Sequence, residues 1–168
     1  MKEKTAINYR ILNADNKNFG SLLKLNKNEV PNVNSIEMNS LDWFKQESFY
    51  FKMAMRDDLC LGFLIALGPN TRYQSQNYKW LQKHFKDFVY IDRIIVRKAA
   101  QRQGIASTLY QDLKKQAHGF ASCLTCEVNL IPQNIPSMEF HKNLGFKIIG
   151  ERYIYNGEKK VAYMLLKI

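Results

Sequence analysis

The sequence predicts a single α/β domain with the element order β-α-α-β-β-loop-β-α-β-α-β-β, and three observations carry that prediction. Residues 88–96, Phe-Val-Tyr-Ile-Asp-Arg-Ile-Ile-Val, are rich in β-branched and aromatic side chains and interrupted only by Asp92 and Arg93, as in a strand buried on both sides. From Ile105 the apolar residues recur at helical spacing: Ile105, Leu109 and Leu113, with Ala106, Tyr110 and Ala117 beside them and Gln111, Asp112, Lys114 and Lys115 opposite. Between strand and helix lies a glycine-containing turn, Gln101-Arg102-Gln103-Gly104-Ile105-Ala106.

The remaining elements follow in order. Ala6–Asn13 alternates moderately and reads as a first strand. Phe19–Lys27 and Ser35–Gln46 read as helices that would cover one sheet face, separated by Glu29-Val30-Pro31-Asn32-Val33, a loop fixed by its proline. Tyr50–Arg56 and Leu59–Leu67 form a hairpin across Asp57-Asp58, ended by Gly68-Pro69-Asn70. The polar stretch from 70 to 87 stands as the loop in this order. Within it Lys79, Lys83 and Lys86 interleave with Tyr78, Trp80, His84 and Phe85, which reads either as a surface on which bases stack or as an amphipathic helix packing Trp80, Leu81 and Phe85 inward; packing or a pocket wall is favoured. The helix from Ile105 ends near His118-Gly119, where glycine suits a C-terminal cap. Ser122–Leu130 reads as a strand, and Glu151–Tyr155 and Lys160–Leu166 flank Asn156-Gly157, a type I′ turn signal.

Composition sets bounds. With 168 residues, 46% of them hydrophobic, the chain can bury one sizeable core, which excludes a disordered class. Met1–Thr5 lacks the apolar run of a secretion signal, and the longest uncharged apolar run, Leu59–Leu67, contains Gly62 and is too short to span a bilayer, so a cytoplasmic protein without a membrane partner is expected. Cys123-Leu124-Thr125-Cys126 has the spacing of a redox or zinc motif, but residues three apart on a strand face opposite ways, and no second cysteine pair or suitably spaced histidines complete a site. Cys60, Cys123 and Cys126 are therefore expected to be buried or half-buried thiols, and no metal is expected.

A strand feeding a glycine turn and then a helix presents unpaired backbone N–H groups at the positive end of the helix dipole, a ready site for phosphate; the alternative is an ordinary strand-to-helix turn. The pattern Gln/Arg-x-x-Gly-x-Gly/Ala after an apolar strand, matched by Gln101, Gly104 and Ala106, resembles the acetyl-coenzyme A pyrophosphate loop of the GNAT N-acetyltransferase superfamily. The later segment from Asn134 to Phe146, an Asn, then a short helix, then an aromatic-containing stretch closing on Leu144-Gly145-Phe146, resembles a second signature of the same family. The resemblance implies a mixed, mostly antiparallel, twisted sheet of about six to seven strands with helices on both faces and strands splayed at the cofactor site. It also implies acetyl-coenzyme A as cosubstrate, direct attack of a primary amine of a small molecule or peptide on the thioester, and a monomer or homodimer.

Roles follow residue by residue from that resemblance. Backbone groups of Ile94 and Val96, with Ile95 between them, would bind the pantetheine arm and polarise the acetyl carbonyl. The amides of Gln101, Arg102, Gln103, Gly104, Ile105 and Ala106 would hold the pyrophosphate, with Arg97, Lys98 and Arg102 adding screened attraction. Arg102 stands where the family often has glycine. Asn134 matches the family Asn that approaches the cofactor arm, and Phe140 is expected to pack against it. His141 stands where the family frequently has a tyrosine that protonates the leaving thiolate; it either keeps that role, its unperturbed pKa lying near 6.5, or lines the pocket. Tyr110, Tyr153 and Tyr155 are less well placed substitutes.

Asp92 is the candidate base, a lone acid in an apolar strand, where burial raises a carboxyl pKa. Alternation puts Tyr90, Asp92 and Ile94 on one face and Arg93 on the other. A structural Asp bonded to a hydroxyl or amide is the alternative, as is deprotonation through water. Tyr90, Glu29 and Asn32 are the candidates for contact with the acceptor. Two further hypotheses stand beside the enzyme: a coenzyme A sensor without efficient transfer, and a nucleic-acid-binding protein drawn by the net charge of +10. Lys and Arg are scattered with no run of five, which argues against a specific nucleic-acid partner.

Overall fold

A computed structural model of the chain describes residues 8–168. The first two residues of the expected Ala6–Asn13 strand, and the Met1–Thr5 stretch read for a secretion signal, lie outside the described residues. In chain order the elements are β1 (Arg10–Asn13), α1 (Phe19–Lys27), α2 (Met38–Glu47), β2 (Tyr50–Arg56), β3 (Leu59–Leu67), α3 (Gln76–His84), β4 (Val89–Val96), α4 (Ile105–Ala117), β5 (Cys123–Ile131), α5 (Ile135–Asn143), β6 (Lys147–Ile154) and β7 (Lys159–Lys167). The strands form a seven-stranded mixed sheet in the order β1-β2-β3-β4-β5-β7-β6. β1 with β2, β5 with β7 and β6 with β7 are antiparallel, whereas β4 with β5 is parallel. The β4–β5 register is short: Val89 faces Leu124 and Tyr90 faces Thr125.

The polar stretch 70–87, a loop in the expected element order, contains the amphipathic helix weighed for it, α3, whose first turn is capped by Ser75, its hydroxyl accepting from the Tyr78 N–H at 3.4 Å. The helix forms because Tyr78 and Leu81, three apart, are fully buried. The Asn156-Gly157 signal marks a hairpin, but not a two-residue type I′ turn: Ile154 pairs with Lys159, and Tyr155, Asn156 and Gly157 all have positive φ, of 51°, 55° and 93°.

The described residues pack into two compact units, one of residues 8–65 with 93–113, the other of 66–92 with 114–168. In the first, Phe19, Leu22 and Leu25 of α1 and Leu41 and Phe44 of α2 form the helical side of the core. Burial of each such side chain contributes roughly 1.5–3 kcal/mol. α4 is tied to β2 where Tyr50 Oη and Lys52 Nζ both donate to Asp112 Oδ2, at 3.0 and 2.7 Å. Gly62 lies so close to β4 that a Cβ there would meet the Ile95 carbonyl oxygen at 2.6 Å and Val96 Cα at 3.1 Å. Arg93 is buried, its guanidinium over the Phe44 ring and its Nη1 donating to Asn26 Oδ1 at 2.5 Å and to the Asn34 carbonyl at 3.1 Å.

The second unit is built around β5 and β7, with Leu124, Cys126, Val128, Val161, Ala162 and Met164 buried. Cys60, Cys123 and Cys126 are buried free thiols, and desolvation pushes all three above the ordinary thiol range. Among the described residues, no group of three or more His, Cys, Asp or Glu is placed to hold a metal ion, and no helix is long and apolar enough to cross a membrane.

Candidate active site

The turn after β4 has the backbone its sequence calls for. Gly104 sits at φ 82° and Arg102 at φ 63°, so two left-handed residues bracket Gln103 and bend the chain into a concave arc before α4. The positive φ at Arg102 explains why glycine suits that position and why Arg occupies it at a cost. The loop glutamines turn back on their own segment, Gln101 Nε2 donating to the Val96 carbonyl and Gln103 Nε2 to the Ala99 carbonyl, both at 3.1 Å. Their side chains thus brace the loop, while the first-turn N–H groups of α4 lack intrahelical acceptors and suit an anion. Ile105 is buried and anchors the helix start, Ala106 is half-buried, and Gln101, Arg102, Gln103 and Gly104 are exposed. Along β4, Ile94 and Val96 are half-buried and Ile95 is buried, the alternation expected of the strand. The Val96 carbonyl, expected to be available to a cofactor, carries the Gln101 hydrogen bond.

Asp92 and Arg93 separate as the alternation requires. Asp92 is half-buried and accepts from Tyr73 Oη at 2.6 Å, while Arg93 is buried against α1 and α2. Tyr90 is fully buried, with its hydroxyl donating to Glu127 Oε1 at 3.1 Å; it supports a carboxylate and does not face outward as an acceptor contact.

Glu127 is a titratable group at this site that its motifs do not mark. It lies in β5, two residues beyond Thr125, the register partner of Tyr90, so Tyr90 and Glu127 share a sheet face. Its Oε1 accepts from both Tyr90 and Asn77 Nδ2, the latter at 2.9 Å, while its Oε2 is shut off from solvent without a hydrogen-bond partner. Burial, with the Asp92 charge adding to it, raises its pKa to about 7 against the pull of the hydrogen bonds from Asn77, Tyr90 and its own backbone. A carboxyl group poised near neutrality is suited to take a proton at physiological pH. The sequence did hold a signal for it: Glu127 is the lone acid of an apolar strand, as Asp92 is in β4.

His141, at the end of α5, is buried between Phe140 and Phe146, whose rings meet it edge-on at 5.3 Å. Burial lowers its pKa, and its Nδ1–H donates to the Ser137 carbonyl at 2.7 Å. The imidazole is therefore neutral at pH 7 with one proton already committed, which favours pocket lining over acid catalysis. Asn134 caps α5, its Oδ1 accepting from the Ser137 N–H at 3.2 Å. Phe140 and Asn134 are both half-buried on this short helix. Glu29 is half-buried and Asn32 exposed, in the segment between α1 and α2.

A model of the acetyltransferase (GNAT) family matches residues 17–146. No curated protein sequence matches the chain. Among solved structures the fold is similar to the ribosomal-protein-S18-alanine N-acetyltransferase of Escherichia coli, with a TM-score of 0.73 and 16% identity over 96% of this chain and 94% of that one. It is similar to Arabidopsis thaliana NAA60 in complex with a bisubstrate analogue, with a TM-score of 0.77 and 16% identity over 96% and 98%. It is also similar to yncA of Salmonella typhimurium, solved with its cofactor acetyl-CoA, with a TM-score of 0.72 and 15% identity over 96% and 94%. At these identities the likeness is one of fold.

Proposed function

Because the chain belongs to the acetyltransferase (GNAT) family, we propose that it transfers the acetyl group of acetyl-coenzyme A to a primary amine of a peptide or small molecule, with Glu127 as proton acceptor. The observation that carries this reading is the Glu127 carboxylate, with one oxygen held by Tyr90 and Asn77 and the other unpartnered. The amine nitrogen attacks the thioester carbonyl, its proton passes to the Glu127 carboxylate, the C–S bond breaks, and an amide and the coenzyme A thiolate result. With a pKa of about 7, Glu127 is ionised in a large fraction of molecules at neutral pH and remains basic enough to accept that proton.

The pyrophosphate rests on the backbone amides of Gln101–Ala106, and the pantetheine arm follows the backbone of Ile94–Val96. Asn134 and Phe140 border the cofactor arm, and the neutral His141 lines it. Asp92, its carboxylate held by Tyr73, borders the acceptor with Glu29 and Asn32. Support for this reading comes from the family match, from the acetyl-CoA carried by the yncA structure, and from the left-handed turn at Arg102 and Gly104.

The test joins binding to turnover. Coenzyme A at about 100 times a micromolar Kd is expected to stabilise the folded chain by about 2.7 kcal/mol, seen as a rise in Tm. A panel of peptide N-terminal amines and small amines with acetyl-coenzyme A should yield at least one acceptor, for which Glu127→Gln lowers kcat/KM by about 10²–10⁴. Absence of any thermal shift with coenzyme A would refute the reading.

A further inference from the structure

We propose that Asn77 is the positioning residue of this reaction, holding Glu127 so that its two carboxylate oxygens differ: Oε1 serves as a structural acceptor and Oε2 is left to take the proton. The proposal rests on the reading of Glu127 as the base. Its ground is a hydrogen-bonded chain running through three elements. Tyr163 on β7 donates its hydroxyl to Asn77 Oδ1 at 2.9 Å, and Asn77 on α3 donates Nδ2 to Glu127 Oε1 on β5 at 2.9 Å. Only the amide nitrogen can face an ionised carboxylate, so the Tyr163 contact falls to the amide oxygen and fixes the orientation of the whole carboxamide.

Each link is held in place by packing. Tyr163 is the cross-strand partner of Glu127, is fully buried, and stacks on Trp80 of α3 with centroids 4.1 Å apart and planes 4° from parallel. Asn77 is buried. Tyr78 beside it is fully buried, accepting from the Thr71 N–H and donating to the Gly68 carbonyl at 2.6 Å, so α3 cannot shift without breaking contacts at its base. Tyr90 donates to the same Oε1 from β4, so both donors converge on one oxygen.

The charged and titratable groups around Glu127 are Tyr90 and Asp92 of β4, Tyr73 on the segment before α3, Cys126 in β5, and Lys159 and Tyr163 of β7, with Arg152 of β6 acting on Tyr163. Against the burial and the Asp92 charge that favour a protonated Glu127, the Asn77 donor is the first stabiliser of the carboxylate, followed by Tyr90. An ordinary buried asparagine would contribute to stability alone. Asn77 in this role also sets the pH at which Glu127 releases its proton.

The experiment is a ¹³C-carboxyl NMR titration of the intact protein, with the Glu127 signal assigned by its loss in Glu127→Gln, beside the pH profile of kcat/KM. Asn77→Leu is expected to move the Glu127 midpoint up by about one pH unit and the acid limb of the profile with it, the loss of rate being largest on the acid side. Tyr163→Phe keeps the ring on Trp80, releases the carboxamide, and shifts both in the same direction by less; it serves as the readout if Asn77→Leu does not fold. A midpoint unmoved in the folded variants, with Glu127→Gln inactive, overturns the Asn77 assignment alone. An equal loss of rate at every pH also overturns it, since that is the mark of a structural role. A Glu127→Gln enzyme with full rate overturns the base reading, and the proposal with it.

Discussion

Arg93 on β4 and Asn26 near the end of α1 meet in a 2.5 Å hydrogen bond, and Asn26 passes the contact on, its Nδ2 donating to the Asn34 carbonyl at 3.0 Å. Arg93 Nη1 reaches that same carbonyl, so a closed triangle pins both ends of the segment that carries Glu29 and Asn32. Replacing Arg93 with Met keeps much of the packing on Phe44 and leaves the Asn26 and Asn34 oxygens without this donor. The expected cost is about 2–3 kcal/mol by urea denaturation, with faster amide exchange confined to residues 28–34 and a raised KM for the acceptor. Unchanged exchange in that segment would show that Arg93 does not order it.

Glu127 links acid–base chemistry to stability. Its folded pKa of about 7 lies above the ordinary 4.5, so the folded state holds a proton that the unfolded chain has released. The stability this confers is present below pH 4.5 and is lost as pH rises through 7. A rise of that size is worth about 3 kcal/mol. Glu127→Gln should therefore lose transfer activity and yet unfold at higher urea than the parent at pH 8, with the gap closing toward pH 4. A variant less stable than the parent at pH 8 would mean that the carboxylate is stabilised in place rather than tolerated.

Arg102 offers a second stabilising substitution. At φ 63° it bears the left-handed penalty that glycine escapes. Arg102→Gly is expected to stabilise the fold by about 0.5–1 kcal/mol and to retain coenzyme A binding, since amides rather than the guanidinium do the holding. A large loss of affinity, steepest at low salt, would instead assign the binding to its charge.

For His141, the neutral imidazole predicts that His141→Phe keeps transfer within a few-fold of the parent from pH 6 to 9, the new ring preserving the edge contacts with Phe140 and Phe146. A fall of about 10²-fold or more would restore the acid role.

What the sequence made legible was contiguous. The turn from Gln101 to Ala106 could be read because strand, glycine and helix follow one another within a few residues, and α1 and the β2–β3 hairpin because their periodicities are long and clean. α3 is short and polar, and its three buried residues, Asn77, Tyr78 and Leu81, mean little until Tyr163 and Gly68 are brought to them. The turn at Asn156-Gly157 was announced by composition, but the positive φ of Tyr155 is set by the register of β6 and β7. Glu127 was hidden for the same reason on a larger scale. Its character comes from Asn77, Tyr90 and Asp92, remote in sequence, and a lone acid in an apolar strand looks alike whether it is a base or a satisfied core residue.

Gly62 has no side chain to bind or react, and what it gives the approach of β3 to β4 is vacancy. The Ile95 carbonyl occupies the place where a side chain would begin, so even a methyl would act as a wedge under the strand that carries Ile94 and Val96. A survey of this chain that scored only polar residues would pass over a position from which β4 can be displaced without removing a single hydrogen-bonding atom.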